Sequence, residues 1–261
     1  MLDFHNHLMP AVDDGAGNLE ESRTGLATML SQGASIIITT PHVPGSLTRR
    51  TDELASFLAH LDEAWERLKN LAAAEFPSLR LERGGEIMLD IPSPDLSDAR
   101  LRLAGSSFAL VEFPYMAVPP QSTQAIRELR RAGWHPVVAH PERYSNMSAH
   151  AETLDDWRDA GAFIQVNSGS LIGRYGATAR ELAWDFVSRG CVDYLSSDYH
   201  SRGKCSIKDA SEAFKDRGGT WQHKRLTEVN PERLLRNEPP LPVGPMEVVK
   251  LPIWKRVLRR Q

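Results

Sequence analysis

The chain has 261 residues, 41% of them hydrophobic and 25% charged, with a formal net charge of −3. This is the composition of an ordinary water-exposed globular chain, with room for one large α/β domain or two small ones. It excludes a general electrostatic pull toward nucleic acid, and no apolar run reaches the ~18 residues that a membrane span needs.

Residues 2–7 read as the first strand. Residues two apart in an extended chain share a face, so Asp3, His5 and His7 are expected to line one side of it. Asp13-Asp14-Gly15 is a turn signal, and Gly17 or Asn18 caps a helix over 19–32 that stops near Gly33. The β-branched run 35–40 is typical of a buried parallel strand and leads into Pro41-His42. Residues 51–74 form the clearest helix, with Leu54, Phe57, Leu58, Leu61, Trp65, Leu68 and Leu71 recurring at helical spacing. Further strands over 79–87, 108–113, 136–139, 162–166 and 192–196 run into Glu86, Glu112, His140, Asn167 and Asp198-Tyr199-His200. Helices over 122–132, 154–160 and 177–189 lie between them, followed at once by Gly133, Gly161 and Gly190. Pro239-Pro240-Leu241-Pro242 then separates a body, 1–238, from a basic tail, 239–261, that contains Lys250, Trp254, Lys255, Arg256, Arg259 and Arg260.

Strand and helix alternating along one chain argue for a parallel sheet with helical crossovers. An open doubly wound sheet gathers its site at one crevice, whereas here candidate ligands close nearly every strand. A closed barrel of about seven β/α units fits that distribution better.

The candidate metal ligands are His5, His7, Asp14, His42, Glu86, Glu112, His140, Asp198 and His200. They outnumber the places around one ion, so roughly two or three neighbouring ions are implied, with Glu86 expected to bridge. Mixed imidazole and carboxylate ligands suit Mn, Fe, Zn or Co better than Ca or Mg. His60, His135, His150 and His223 lack a partner pattern and are assigned structural roles. The cysteines, Cys191 and Cys205, form no CxxC pair, which fits a reduced, cytoplasmic compartment. Thiolate phosphate chemistry needs an arginine a short fixed distance after the thiol, and those positions hold Ser197 and Ser211. The N-terminus lacks the basic-then-apolar pattern of a secretory leader.

Asp3-x-His5-x-His7, Asp13-Asp14-Gly15, Glu20-Glu21-Ser22, Thr40-Pro41-His42, Gly85-Glu86-Ile87, Glu112-Phe113, Ala139-His140-Pro141-Glu142-Arg143-Tyr144, Gln165-Val166-Asn167-Ser168 and Ser197-Asp198-x-His200 together resemble the polymerase-and-histidinol-phosphatase (PHP) superfamily. Within it they are most similar to the bacterial tyrosine phosphatases of capsular and exopolysaccharide synthesis, in unbroken order from residue 2 to about 237. The resemblance implies a distorted seven-stranded TIM-like barrel with a trinuclear, usually manganese-dependent centre. It assigns His5, His7, Glu86 and Asp198 to one ion, Glu86, Glu112 and His140 to a second, and Asp14, His42 and His200 to a third. Asp3 would orient a ligating histidine from behind.

The implied reaction is phosphomonoester hydrolysis, with phosphotyrosine on a membrane-associated bacterial tyrosine kinase as substrate. Arg143 would clamp phosphate, Arg202 or Lys204 would add a second positive contact, and His42 or a bound water would assist the leaving group. Three competing readings are a small-molecule phosphatase acting on histidinol phosphate, a nuclease-like phosphodiesterase, and a non-catalytic protein docking the kinase or the membrane through its basic tail.

Overall fold

The computed structural model describes residues 1–149 and 152–246, and every strand pairing among them is parallel. The strands are β1 (Leu2–Asp3), β2 (Ile36–Thr39), β3 (His42–Pro44), β4 (Arg80–Arg83), β5 (Glu86–Met88), β6 (Phe108–Glu112), β7 (His135–Ala139), β8 (Phe163–Asn167) and β9 (Tyr194–Ser196). They form a three-stranded sheet, β1-β2-β4, and a six-stranded sheet, β3-β5-β6-β7-β8-β9. The expectation of a parallel α/β arrangement holds, whereas the expected seven strands appear as nine short ones in two sheets among the described residues. The second expected strand ends at Thr39 and an unexpected short strand, β3, follows Thr40-Pro41, while Gly84-Gly85 splits the third expected strand into β4 and β5, because proline brings no N–H to a ladder and glycine weakens one. Backbone bonds carry the chain across both breaks: Gly84 N to Thr39 O at 2.9 Å and Glu86 N to Pro41 O at 2.9 Å. At the other edges, Asp198 N donates to His5 O at 2.7 Å and His7 N to Tyr199 O at 2.9 Å.

Side chains alternate across the strands, and two apolar layers follow. Phe4, Ile38, Phe108, Leu110, Val137, Ala139 and Tyr194 meet in one fully buried cluster between the strands. Their neighbours Ala109, Val111, Val138, Ile164 and Leu195 turn the other way, into the larger cluster under the helices. Burial of each large side chain is worth about 1.5–3 kcal/mol.

The helices lie where periodicity places them: Leu19–Ser31, Thr51–Glu75, Ser122–Arg131, Thr153–Asp159 and Ala177–Ser188. Asn18 caps the first of them, its side chain accepting from Glu21 N at 2.9 Å. Gly33, Gly133, Gly161 and Gly190 all have positive φ, as the helix-ending reading requires. Additional helices occupy Ile207–Asp216, Thr220–Lys224 and Asn230–Leu235. Part of the proline-marked tail lies against the body. Asn230 bonds both polar groups of the Leu241 backbone, Val243 is buried, and Met246 N donates to Ser188 O at 3.1 Å. His150 and the basic residues from Lys250 onward lie outside the described residues.

Candidate metal centre

The strand ends deliver their polar side chains to one mouth, and two of them do so by leaving the strand abruptly. His140 and Asp198 have φ of 36° and 52°, a left-handed conformation that non-glycine residues adopt at a cost and that concentrates at functional sites. The loop after β1 returns to the same mouth. Gly15 makes this return possible, since a Cβ there would overlap the carbonyl and Cβ of His7. The return brings Asp13 and Asp14 to the histidines.

All of the expected ligands converge. Groups of potential donors within 4.8 Å of one another are His7/Asp14/His42/His200, His5/His140/Asp198, His5/His7/Glu86 and His42/Glu86/Glu112. Glu86 is the hub. Its Oε2 lies 3.2 Å from His5 Nε2, 3.3 Å from His7 Nε2 and 3.2 Å from His42 Nδ1, and its Oε1 lies 3.1 Å from His140 Nε2. The proximities cut across the expected three sets, because His42 also faces Glu112 at 3.2 Å and His140 groups with His5 and Asp198.

Hydrogen bonds fix which ring nitrogen faces inward. Asp198 as a carboxylate only accepts, so the Asn167 amide nitrogen donates to it at 2.7 Å. The Asn167 oxygen then accepts from Gln165 at 2.8 Å, and the Gln165 oxygen faces His5 Nδ1 at 2.9 Å. His5 must donate from Nδ1, which leaves its Nε2 lone pair aimed at the centre. Asp13 Oδ2 at 2.7 Å does the same for His7. His5 Nε2, His7 Nε2 and Glu86 Oε2 are buried without hydrogen-bond partners. Lone pairs facing lone pairs in a buried cluster are relieved by a cation, so the donor set fits divalent metal.

Behind the centre the assignments change. Asp3 does not orient a histidine: its carboxylate accepts from Asn6 Nδ2 at 3.1 Å and Ser197 N at 2.7 Å, and burial pushes its pKa up to about 6. That work falls to Asp13 and Gln165. Arg143 lines the cavity, which holds about 290 Å³ between Asp14, His42, Glu86, Glu112, Arg143 and the apolar wall Phe113–Met116. Its Nη1 donates to Asp198 Oδ2, and its guanidinium lies 4.2 Å over the ring of Tyr175. Buried Glu142 pins the same turn by accepting from Asn167 N at 2.9 Å and Ser170 Oγ at 2.6 Å. Arg202 and Lys204 do not join the cavity wall; they pair with Glu21 and Asp209. His42 turns both ring nitrogens toward carboxylates, with Nδ1 3.2 Å from Glu86 and Nε2 3.5 Å from Asp14. Both cysteines are free and buried, and burial pushes the Cys205 thiol up to about 11, far from thiolate chemistry.

Burial alone would lower the His5 imidazolium, but Glu86 and Asp198 outweigh it and push its pKa up to about 9. His7 is raised as well, against burial, by Asp13, Asp198 and Glu86. In metal-free protein His5 contributes stability that is complete below the ordinary value of 6.5 and lost as pH rises through about 9, and raised His7 acts in the same direction. His200, lowered chiefly by burial, changes charge below this window and does not offset the loss. The melting temperature of chelator-treated protein is therefore expected to fall from pH 6.5 to 9, and added divalent metal to flatten the decline by taking the protons' place. A melting temperature that rises across this range would contradict the scheme.

Parallel strands presenting clustered nitrogen and oxygen donors at one mouth define an α/β protein of the metal-site hydrolase type. The model of the capsular polysaccharide synthesis family CpsB/CapC matches residues 1–236, and the chain belongs to that family. It is 30% identical over 252 residues to the tyrosine-protein phosphatase YwqE of Bacillus subtilis, covering 93% of this chain and 96% of that one. To the tyrosine-protein phosphatase CpsB of Streptococcus pneumoniae it is 24% identical, covering 91% and 99%. A solved chain from work on YwqE and CpsB, described as unique metal-dependent tyrosine phosphatases, superposes with a TM-score of 0.80 at 29% identity, covering 96% of this chain and all of that one.

Proposed function

We propose that this protein is a metal-dependent phosphomonoesterase that hydrolyses phosphotyrosine on protein, and that its substrate is a membrane-associated bacterial tyrosine kinase of polysaccharide synthesis. The observation that carries the reading is the buried, partnerless donor set around Glu86, with an arginine beside it at the wall of an open cavity. The relatives' names support the substrate class. We read the strands as roughly seven paths closing into a distorted barrel, with body and tail dividing near residue 238. Among the described residues no helix is long and apolar enough to cross a membrane, and we place the protein in the cytoplasm.

His5, His7, Glu86, Asp198, Glu112, His140, Asp14, His42 and His200 would hold the metal, with manganese the ion the family resemblance implies and iron or zinc equally compatible with these nitrogen and oxygen donors. Bound ions supply a hydrolytic nucleophile at neutral pH and neutralise charge on the phosphoryl oxygens. Arg143 grips those oxygens through its planar fork, held level by Tyr175. A tyrosinate leaving group, with a pKa of ~10, departs with little protonation, so no dedicated acid is needed. Chelated enzyme should lose phosphotyrosine turnover and regain it with manganese. Full activity after stripping, or faster turnover of histidinol phosphate than of a phosphotyrosyl peptide, would sink the proposal.

A further inference from the structure

The cavity rim carries a feature that the chemistry at phosphorus does not use. Where the chain leaves β6, Phe113-Pro114-Tyr115-Met116 forms one wall of the cavity. Tyr115 and Met116 have φ of 60° and 48°, a region that bulky residues avoid. The surroundings enforce this backbone. Tyr144 Oη accepts from Phe113 N at 3.1 Å, Ser145 N donates to Met116 O at 2.9 Å, and the Asn146 amide accepts from Val118 N at 2.8 Å and donates to Val118 O at 3.1 Å. All three partners follow directly on Arg143, so the strained turn is fixed to the loop that carries the phosphate clamp.

The turn holds the Tyr115 side chain out in water. Tyr115 is 97% exposed, the most exposed large hydrophobic residue among the described ones, whereas Tyr144 and Tyr199 are 2% and 3% exposed and serve packing. Strain that the surroundings over-determine is characteristic of ligand clamps, and a tyrosine brings large contact area at low entropic cost. Met88, Pro114 and Met116 make the adjoining wall apolar, and Tyr115 belongs to the same cavity lining.

We propose that Tyr115 is a specificity-determining residue: it packs against the polypeptide flanking a phosphorylated tyrosine and favours protein over small phosphate esters. This rests on the phosphotyrosine reading above. The test compares wild type, Tyr115→Ala and Tyr115→Phe, metal-loaded and full-length, on a phosphotyrosyl peptide and on phenyl phosphate. Tyr115→Ala should lower the peptide-to-phenyl-phosphate ratio of kcat/KM by about 10-fold, through the peptide KM, and Tyr115→Phe should restore most of it. Equal losses on both substrates, or an unchanged ratio, would overturn the assignment. A wild-type enzyme that cleaves phenyl phosphate but no phosphotyrosyl peptide would instead remove the reading beneath it.

Discussion

Glu86→Gln is expected to empty the centre of metal and to lower phosphotyrosine turnover by at least about 1000-fold. The carboxylate is fully buried, and its two oxygens face His5, His7, His42 and His140 at 3.1–3.3 Å. Glutamine has the same shape, so no cavity is created and the packing should survive. What changes is the chemistry: an anionic acceptor becomes an amide, and its N–H groups point at lone pairs that a cation should receive. Burial would raise the pKa of Glu86, yet the surrounding imidazoles hold it well below the usual carboxylate range, so the charge is present at neutral pH. Metal content after dialysis and phosphotyrosyl-peptide turnover are the measurements. Wild-type stoichiometry with a rate within about tenfold of the parent would remove Glu86 from the hub position. The same variant makes a second statement. Because Glu86 is the main group raising His5, its loss should flatten the fall in melting temperature of chelated protein above pH 6.5.

The part of this centre legible in the sequence is the part carried by strands. Glu112 and His140 follow short apolar runs and Asp198 follows the short strand Tyr194–Ser196, and parallel strands bring such ends to one side by geometry alone. The supporting groups were less legible because their partners arrive through loops. Asp13 reads as a turn residue until Gly15 folds its loop back over His7. Asp3 shares strand alternation with His5, but alternation does not say that Asn6 and Ser197 will take its carboxylate. Gln165 and Asn167 did leave a signal: two polar residues on one face of the buried strand Phe-Ile-Gln-Val-Asn must find partners, and here they find each other, His5 and Asp198. The resemblance implies a phosphate-binding cation shortly after His200, a place that Arg202 or Lys204 could fill. Both side chains are largely exposed, with Arg202 3.8 Å from Glu21 and Lys204 2.7 Å from Asp209, outside the cavity lining. The breaks at Thr40-Pro41 and Gly84-Gly85 were visible as residues, yet the strands resume beyond them in parallel register, His42 opposite Glu86, which no local rule anticipates.

Arg143→Lys is expected to lower kcat/KM for a phosphotyrosyl peptide by about 100-fold while leaving metal content near that of the parent. The guanidinium is planar, lies on Tyr175 at 4.2 Å and gives one nitrogen to Asp198. Arginine carries five N–H donors, so bonding Asp198 leaves others for phosphate oxygens, whereas lysine concentrates its donors on one nitrogen and cannot lie flat on the ring. Two roles are therefore separable. If Arg143 grips the phosphoryl group, inhibition by inorganic phosphate should weaken in the lysine variant in step with kcat/KM. If it only holds Asp198 in place, phosphate inhibition should persist and metal should be lost instead. Tyr175→Leu, which removes the platform but not the charge, should move phosphate inhibition in the same direction by about tenfold or less. A lysine variant with parental efficiency would dismiss the clamp, and the positive contact would then have to come from beyond the cavity wall.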